Sequence, residues 1–232
     1  MSIERYSVID KKNPREIVLL KSTKCRWGRC TFCDYIHDNS DDIEHIIELN
    51  KEILSMVSGE LNQLEIINSG SCFELPTETL KDIKDIVEEK NIETLYFESH
   101  FMYRNRLDEI RDFFNAKIIF KCGIETFDNE FRRFLNKGFS ASPEEIAHYF
   151  SSICLMVGIK GQTKEMIQRD IKFLEDHFEK GCVNVYIDNS TEIKSDPQLI
   201  EWFEQEYAYL EKNPQIEVLW HNTDFGVGGE NE

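Results

Sequence analysis

Three of the seven cysteines fall within one short stretch, Cys25-Arg-Trp-Gly-Arg-Cys30-Thr-Phe-Cys33, a C-x4-C-x2-C pattern. Three thiolates on one loop can hold three corners of a [4Fe–4S] cube and leave the fourth iron open to a small ligand. Gly28 lets the loop turn tightly between the first two cysteines. A second chemistry fits the same residues: Cys25, Cys30, Cys33 and His37 form a Cys3His set with gaps suited to tetrahedral zinc. The other four cysteines, Cys72, Cys122, Cys154 and Cys182, stand apart. They read as buried apolar packing rather than a second cluster. The odd total of seven cysteines and an N-terminus with no apolar export core argue against a disulfide framework and for a cytoplasmic protein.

The surrounding composition narrows the class of reaction. In 232 residues, 27 lysines and arginines face 44 aspartates and glutamates, a net charge of −17. So acidic a chain is repelled by polyphosphate, which disfavours nucleic-acid partners. No apolar stretch approaches a membrane span. Against this background Lys11, Lys12, Arg15, Lys21, Lys24, Arg26 and Arg29 form a basic island with Glu16 as its one acid over residues 11–30. Such an island offsets an anionic cluster or attracts a phosphate on a small substrate.

The elements that must position the cysteines follow from apolar periodicity. Short β-type runs are expected at Glu16–Leu20, Leu64–Asn68, Thr94–Phe97, Lys117–Cys122, Ile153–Val157, Val183–Ile187 and Ile216–Trp220. Between most of them lie stretches of helical period, such as the Ile43, Ile46, Ile47, Ile53, Leu54 and Val57 stripe, for which Ser40 is the expected N-cap. Thr77 is the expected cap of the next helix. Later strand starts recur at the length of a βαβ unit. Functional residues are then expected at the carboxyl ends of parallel strands, in a barrel or an open sheet alike. The Gly-rich segment 222–232 reads as a lid or a frayed tail.

With these motifs in order, the chain resembles the radical S-adenosylmethionine (SAM) superfamily. Cys30-x-Phe-Cys33 resembles its signature, although the first gap is four residues where three is usual. Asn68-Ser69-Gly70-Ser71 resembles the turn that holds the SAM amino group, and Gly123-Ile-Glu125-Thr the segment that sets a carboxylate on the SAM ribose. Arg132 matches a basic residue used for the SAM carboxylate, and Tyr35 joins the same cofactor set. Among small members, the chain most resembles the queuine lyases of bacterial queuosine salvage. The resemblance implies an α/β fold, a partial (β/α)6 TIM-like barrel of parallel strands in a single domain over 1–232. Its core spans about 16–190, with a C-terminal helix, strand and tail over 196–232.

It also implies a [4Fe–4S] cluster on Cys25, Cys30 and Cys33, and SAM as cofactor. The implied reaction is lyase cleavage of the base–ribose bond of queuosine 5′-phosphate by a 5′-deoxyadenosyl radical, releasing queuine. Partners would be a small nucleoside or nucleotide and an electron donor such as a flavodoxin or ferredoxin. Strand ends supply the candidate substrate residues: Glu98 and His100 after the third expected strand, Asp188 and Asn189 after the sixth, and His221 after the last. A deazaguanine presents N–H donors for which a carboxylate is the natural acceptor, so Asp188 and Glu98 lead. Two alternatives remain open: radical chemistry on another small nucleoside or nucleotide, and a zinc-stabilised binding module without catalysis. Anaerobically purified protein is expected to carry iron and acid-labile sulfide with a brown chromophore; zinc in their place would establish the binding module.

Overall fold

The computed structural model describes residues 3–229. Its strands are β1 (Tyr6–Ile9), β2 (Arg15–Leu20), β3 (Gln63–Asn68), β4 (Thr94–Glu98), β5 (Lys117–Glu125), β6 (Ser152–Val157), β7 (Lys180–Val185) and β8 (Ile216–Leu219). They lie side by side in chain order in one sheet. β1 pairs antiparallel with β2, and every later neighbour is parallel. The sheet curls into a half-barrel, the partial TIM-like architecture. The helices are α1 (Ile43–Leu54), α2 (Thr77–Glu89), α3 (Leu107–Phe113), α4 (Asn129–Phe134), α5 (Pro143–Tyr149), α6 (Lys164–His177) and α7 (Pro197–Glu206). None is long and apolar enough to cross a membrane.

Period-two alternation within the strands explains how one sheet serves two purposes. Leu64, Ile66, Leu95, Phe97, Phe120 and Ile153 join helix residues such as Ile53, Ile83 and Leu174 in one dry layer. The alternate positions carry Glu65, Lys121, Cys154 and Asn184, which line the interior of the half-barrel. Charges buried there are paired, as burial demands. Glu65 accepts from Lys121 and from Arg15, and Arg15 also binds Glu217 at 2.9 Å.

Several local expectations are corrected. β1 has no forecast counterpart; it is a short, half-exposed edge strand with little apolar pattern. β7 begins three residues early because Gly181 reads as a breaker but is a packing site. A Cβ there would lie 2.4 Å from Leu174 Cδ1 of α6. β5 runs on past Cys122 to Glu125, with a register shift between Gly123 and Glu125. Asp42, not Ser40, caps α1 by accepting from the His45 N–H, while Ser40 Oγ accepts from the Asp42 N–H. Thr77 is the first residue of α2, whose N-cap is Pro76. The tail is neither frayed nor free over its described part: Glu4 and Gly228 exchange two backbone hydrogen bonds at 2.9 and 2.8 Å. Ser7 Oγ donates to the Phe225 carbonyl. Residues 230–232 lie outside the described residues.

Burial pushes the Glu65 carboxyl up, but Lys121 and Arg15 outweigh it and bring it down to about 2. A depressed carboxyl adds stability that is present above its unfolded value and is lost as pH falls from about 4.5 towards 2. Glu65→Gln should therefore cost about 3 kcal/mol at neutral pH, because it strands two buried cations. It should also flatten the acid limb, as read by urea unfolding across pH.

Candidate active site

The cysteine loop leaves β2 and crosses the carboxyl end of the half-barrel, held from two sides. On one side is the buried carboxylate of Glu74. Its Oε1 accepts from the Tyr103 hydroxyl at 2.6 Å and from the Arg26 N–H at 3.3 Å, and its Oε2 from the Ser71 N–H at 2.5 Å. The Glu74 carbonyl also takes Thr23 Oγ1 at 2.8 Å. On the other side, Trp27 Nε1 donates to the Asn136 carbonyl and Asn136 Nδ2 to the Arg29 carbonyl, both at 2.7 Å. Thr31 N–H reaches the Leu135 carbonyl at 3.0 Å. Trp27 lies so close over Gly138 that a Cβ there would sit 2.3 Å from its ring, and Gly138 has φ +80°. Gly28, at φ +53°, turns its N–H to Cys25 Sγ at 3.4 Å.

All three loop cysteines line one cleft, open at its mouth. Its upper wall carries Ser69, Gly70 and Ser71 from the turn after β3, with the Cα and Cβ of Cys25 packed against Gly70. Glu125 and Lys137 face the cysteines from the end of β5 and the loop after α4, paired at 2.6 Å. Glu125 holds φ +64°, costly for a residue with a side chain and common where function dictates the backbone. Burial alone would lower the Lys137 ammonium, but Glu125 and then Cys30 raise it, so it stays charged. Deeper in, Glu98, Cys154 and Asn184 form the floor, and Gly123 leaves space beside them. Burial raises the Glu98 carboxyl to about 7; Lys121 and Lys137 oppose the rise, and Glu65 and Glu125 add to it. Two enclosed amide oxygens in the cleft, Asn68 Oδ1 and Asn184 Oδ1, have no hydrogen-bond partner.

Three thiols on one loop are the donor set of a cluster with one open corner. Burial raises the thiols of Cys30, to about 11, and of Cys33, so they hold their protons until a metal displaces them. Among the described residues, no three His, Cys, Asp or Glu side chains converge on a point that suits a single ion. His37 is exposed and outside the cleft, so the Cys3His set is not assembled.

No family model and no curated protein matches the chain. Among solved structures, the queuine lyase from Clostridium spiroforme bound to SAM and queuine is 50% identical. It covers 98% of this chain and 100% of its own, with a TM-score of 0.96. The chain belongs to the queuine lyase family. Streptococcus suis SuiB bound to S-adenosylmethionine, at 15% identity and a TM-score of 0.54, covers 90% of this chain and 48% of its own and shares the fold alone.

In this member of the family, the cleft gathers most of the residues expected from sequence and leaves out three. Cys25, Cys30, Cys33, Tyr35, Ser69, Gly70, Ser71, Glu98, His100, Glu125 and Asn189 line it. Arg132, Asp188 and His221 do not. Arg132 is fully buried beneath, where Nε and Nη2 donate to the Thr126 carbonyl at 3.0 and 2.7 Å. Asp188 is exposed and accepts from the Ser195 N–H at 2.7 Å; that bond and then Lys194 lower its carboxyl. His221 is exposed, and its neighbour Asn222 reaches the cleft instead.

Two of the lining residues have their polar atoms occupied. His100 Nδ1 accepts from the Met102 N–H, and Nε2 meets the Lys137 carbonyl at 2.8 Å. Burial and Lys137 lower its ring to about 4, so it is a neutral brace. Asn189 donates to the Phe32 carbonyl at 2.8 Å and accepts from Thr191. The basic island disperses: Arg15 sits in the barrel interior, Lys21 and Lys24 pair with Asp38 and Asp41, and Arg26 and Arg29 stay exposed on the cysteine loop.

Glu74, Lys137 and Asn184 have no assignment from sequence. Asn184 left a readable signal as the polar position of an alternating strand, and Glu74 one as the end of the capping box Ser71-x-x-Glu74. Gly138→Val should loosen the loop that Trp27 anchors, costing about 1–3 kcal/mol from the added bulk. The expected readouts are a shifted Trp emission and a reduced iron content after reconstitution.

Proposed function

We propose that this chain releases queuine from queuosine 5′-phosphate by radical SAM chemistry, with Cys25, Cys30 and Cys33 as ligands to a [4Fe–4S] cluster. The observation that carries this reading is the meeting, in one cleft, of those three thiols with the polar floor of Glu98 and Asn184. The 50% identity to a lyase described as bound to SAM and queuine supports the choice of ligands. When bound, the cluster supplies the electron that splits the SAM sulfonium into methionine and the 5′-deoxyadenosyl radical, which starts cleavage of the base–ribose bond.

This chain's own residues hold and orient. The Ser69-Gly70-Ser71 turn faces the SAM amino group, for which its hydroxyl and carbonyl oxygens are the right complement. The Glu125 carboxylate faces the ribose hydroxyls. Its bond to Lys137 fixes its direction beside the cysteines. Glu98 accepts the ring N–H and an amino hydrogen of the deazaguanine from below. Trp27, Phe32, Met156 and Tyr186 wall the cleft with apolar surface, which keeps water from the reacting atoms. A one-electron donor such as a flavodoxin or ferredoxin completes the system, and an oxygen-sensitive cluster suits the reducing cytoplasm.

Incubation of the anaerobic holoenzyme with SAM, reductant and queuosine 5′-phosphate should yield free queuine with 5′-deoxyadenosine and methionine. Cys30→Ala should yield none of the three. Ample 5′-deoxyadenosine without queuine from the native protein would reject the substrate and leave the radical chemistry standing.

A further inference from the structure

Acids are dense along this chain, 44 in 232 residues, yet residues 17–33, which carry the three cysteines, hold none. Residues 131–143, which close α4 and run into the loop after it, hold none either. The fold sets these two acid-free stretches side by side. Trp27 Nε1 donates to the Asn136 carbonyl, Asn136 Nδ2 to the Arg29 carbonyl, and Thr31 to the carbonyls of Phe134 and Leu135. Cys25, Trp27, Gly28 and Cys30 line the cleft, whereas Arg26 and Arg29 do not; both are exposed on the outer side of the loop. Lys24 is tied to Asp41 and Arg133 reaches Glu130 at 3.5 Å, but Arg26 and Arg29 pair with no carboxylate among the described residues. The Arg29 guanidinium lies 5.5 Å from the centre of the Trp27 ring. Phe134, beside them, leaves 52% of its surface exposed.

Free cations around an exposed aromatic ring are the make-up of a protein contact rather than of a solvated face. We infer that this outer face of the cysteine loop is the docking surface for a small acidic one-electron carrier protein. Arg26 and Arg29 meet its carboxylates, and Phe134 is the apolar anchor. This rests on the proposed cluster chemistry and adds where the electron enters. A carrier seated here stands against the loop that bears the cysteines and leaves the mouth of the cleft clear for small molecules. With a net charge of −17, the chain as a whole repels an acidic partner, so attraction confined to this face also orients the encounter. A long polyphosphate would overrun the face onto acidic flanks. A phosphate on a substrate within the cleft lies on the other side of the loop from both arginines.

The probe is an acidic flavodoxin, titrated against the anaerobic holoenzyme and read by fluorescence anisotropy, without turnover. Arg26→Glu with Arg29→Glu should weaken binding about tenfold at low salt, and added salt should weaken native binding while leaving the variant nearly unchanged. Phe134→Ala should weaken it about threefold. Dithionite is a small reductant that needs no docking surface. SAM cleavage driven by it should stay within about twofold of native in the double variant, as should the KM for queuosine 5′-phosphate, because both substitutions keep the backbone bonds to Glu74 and Asn136. Variant binding as tight as native, native binding indifferent to salt, or an equal loss of cleavage with dithionite would overturn the assignment. So would a raised KM, which gives the arginines to the substrate, or RNA binding that the variant loses while flavodoxin binding persists. If the double variant takes up no iron, Arg29→Gln decides, with an expected loss of about threefold. Native protein that binds flavodoxin on this face yet releases no queuine refutes the substrate and leaves the surface standing. Native protein that carries zinc in place of iron refutes the cluster on which the surface rests.

Discussion

The Glu74 carboxylate ties together three pieces of chain that are far apart in sequence. It receives the Arg26 N–H from the cysteine loop, the Ser71 N–H from the turn after β3, and the Tyr103 hydroxyl from the segment after β4. A buried carboxylate is tolerable only when such donors satisfy it, and each donor here fixes a wall of the cleft. The distance between the cysteines and the Ser69-Gly70-Ser71 turn is thus set by this side chain together with the packing of Cys25 on Gly70. A cofactor that must touch both needs that spacing held closely, since small misplacements are expensive in rate.

The second constraint is the polarity of the barrel interior. Most cores of this size are filled by branched aliphatics, but here alternate strand positions carry Glu65, Lys121, Cys154 and Asn184. The lower charges neutralise each other, with Arg15 and Glu217 completing the set. The upper ones, Glu98 and Asn184, are left facing the cleft. The same alternation that drives the sheet against its helices therefore sets out a polar floor on the opposite side. Binding is built into the strands themselves and not only into the loops above them.

Much of this was legible beforehand where chemistry is local. The cysteine spacing, the order of the strands and the turn at Ser69-Gly70-Ser71 all lie within a few consecutive residues, and the structure brings them to one place. Misreadings arose where the outcome depends on distant partners. Arg132 looked like a ligand for an anion, yet the Thr126 carbonyl claims its guanidinium. Asp188 looked like a base-reading carboxylate, yet it caps its own loop through Ser195. His100 was placed at the cleft correctly, although its ring serves the backbones of Met102 and Lys137. Lys137 carries no local signature, and the Ser71-x-x-Glu74 capping box says nothing of Arg26 and Tyr103, which reach Glu74 only once segments far apart in sequence have met. The basic island likewise dissolved when the fold sent its members to opposite ends of the barrel.

The pairing of Glu4 with Gly228 gives the cleft an order of assembly. Closing a loop that spans nearly the whole chain costs about 2 kcal/mol more in chain entropy than closing a single βαβ unit. Contacts so remote in sequence form late, after the local strand and helix units have condensed. Asn222, carried on the turn just before that seam, therefore reaches the cleft among the last groups to arrive. A nascent chain has most of its half-barrel in place before the final wall of its cleft exists.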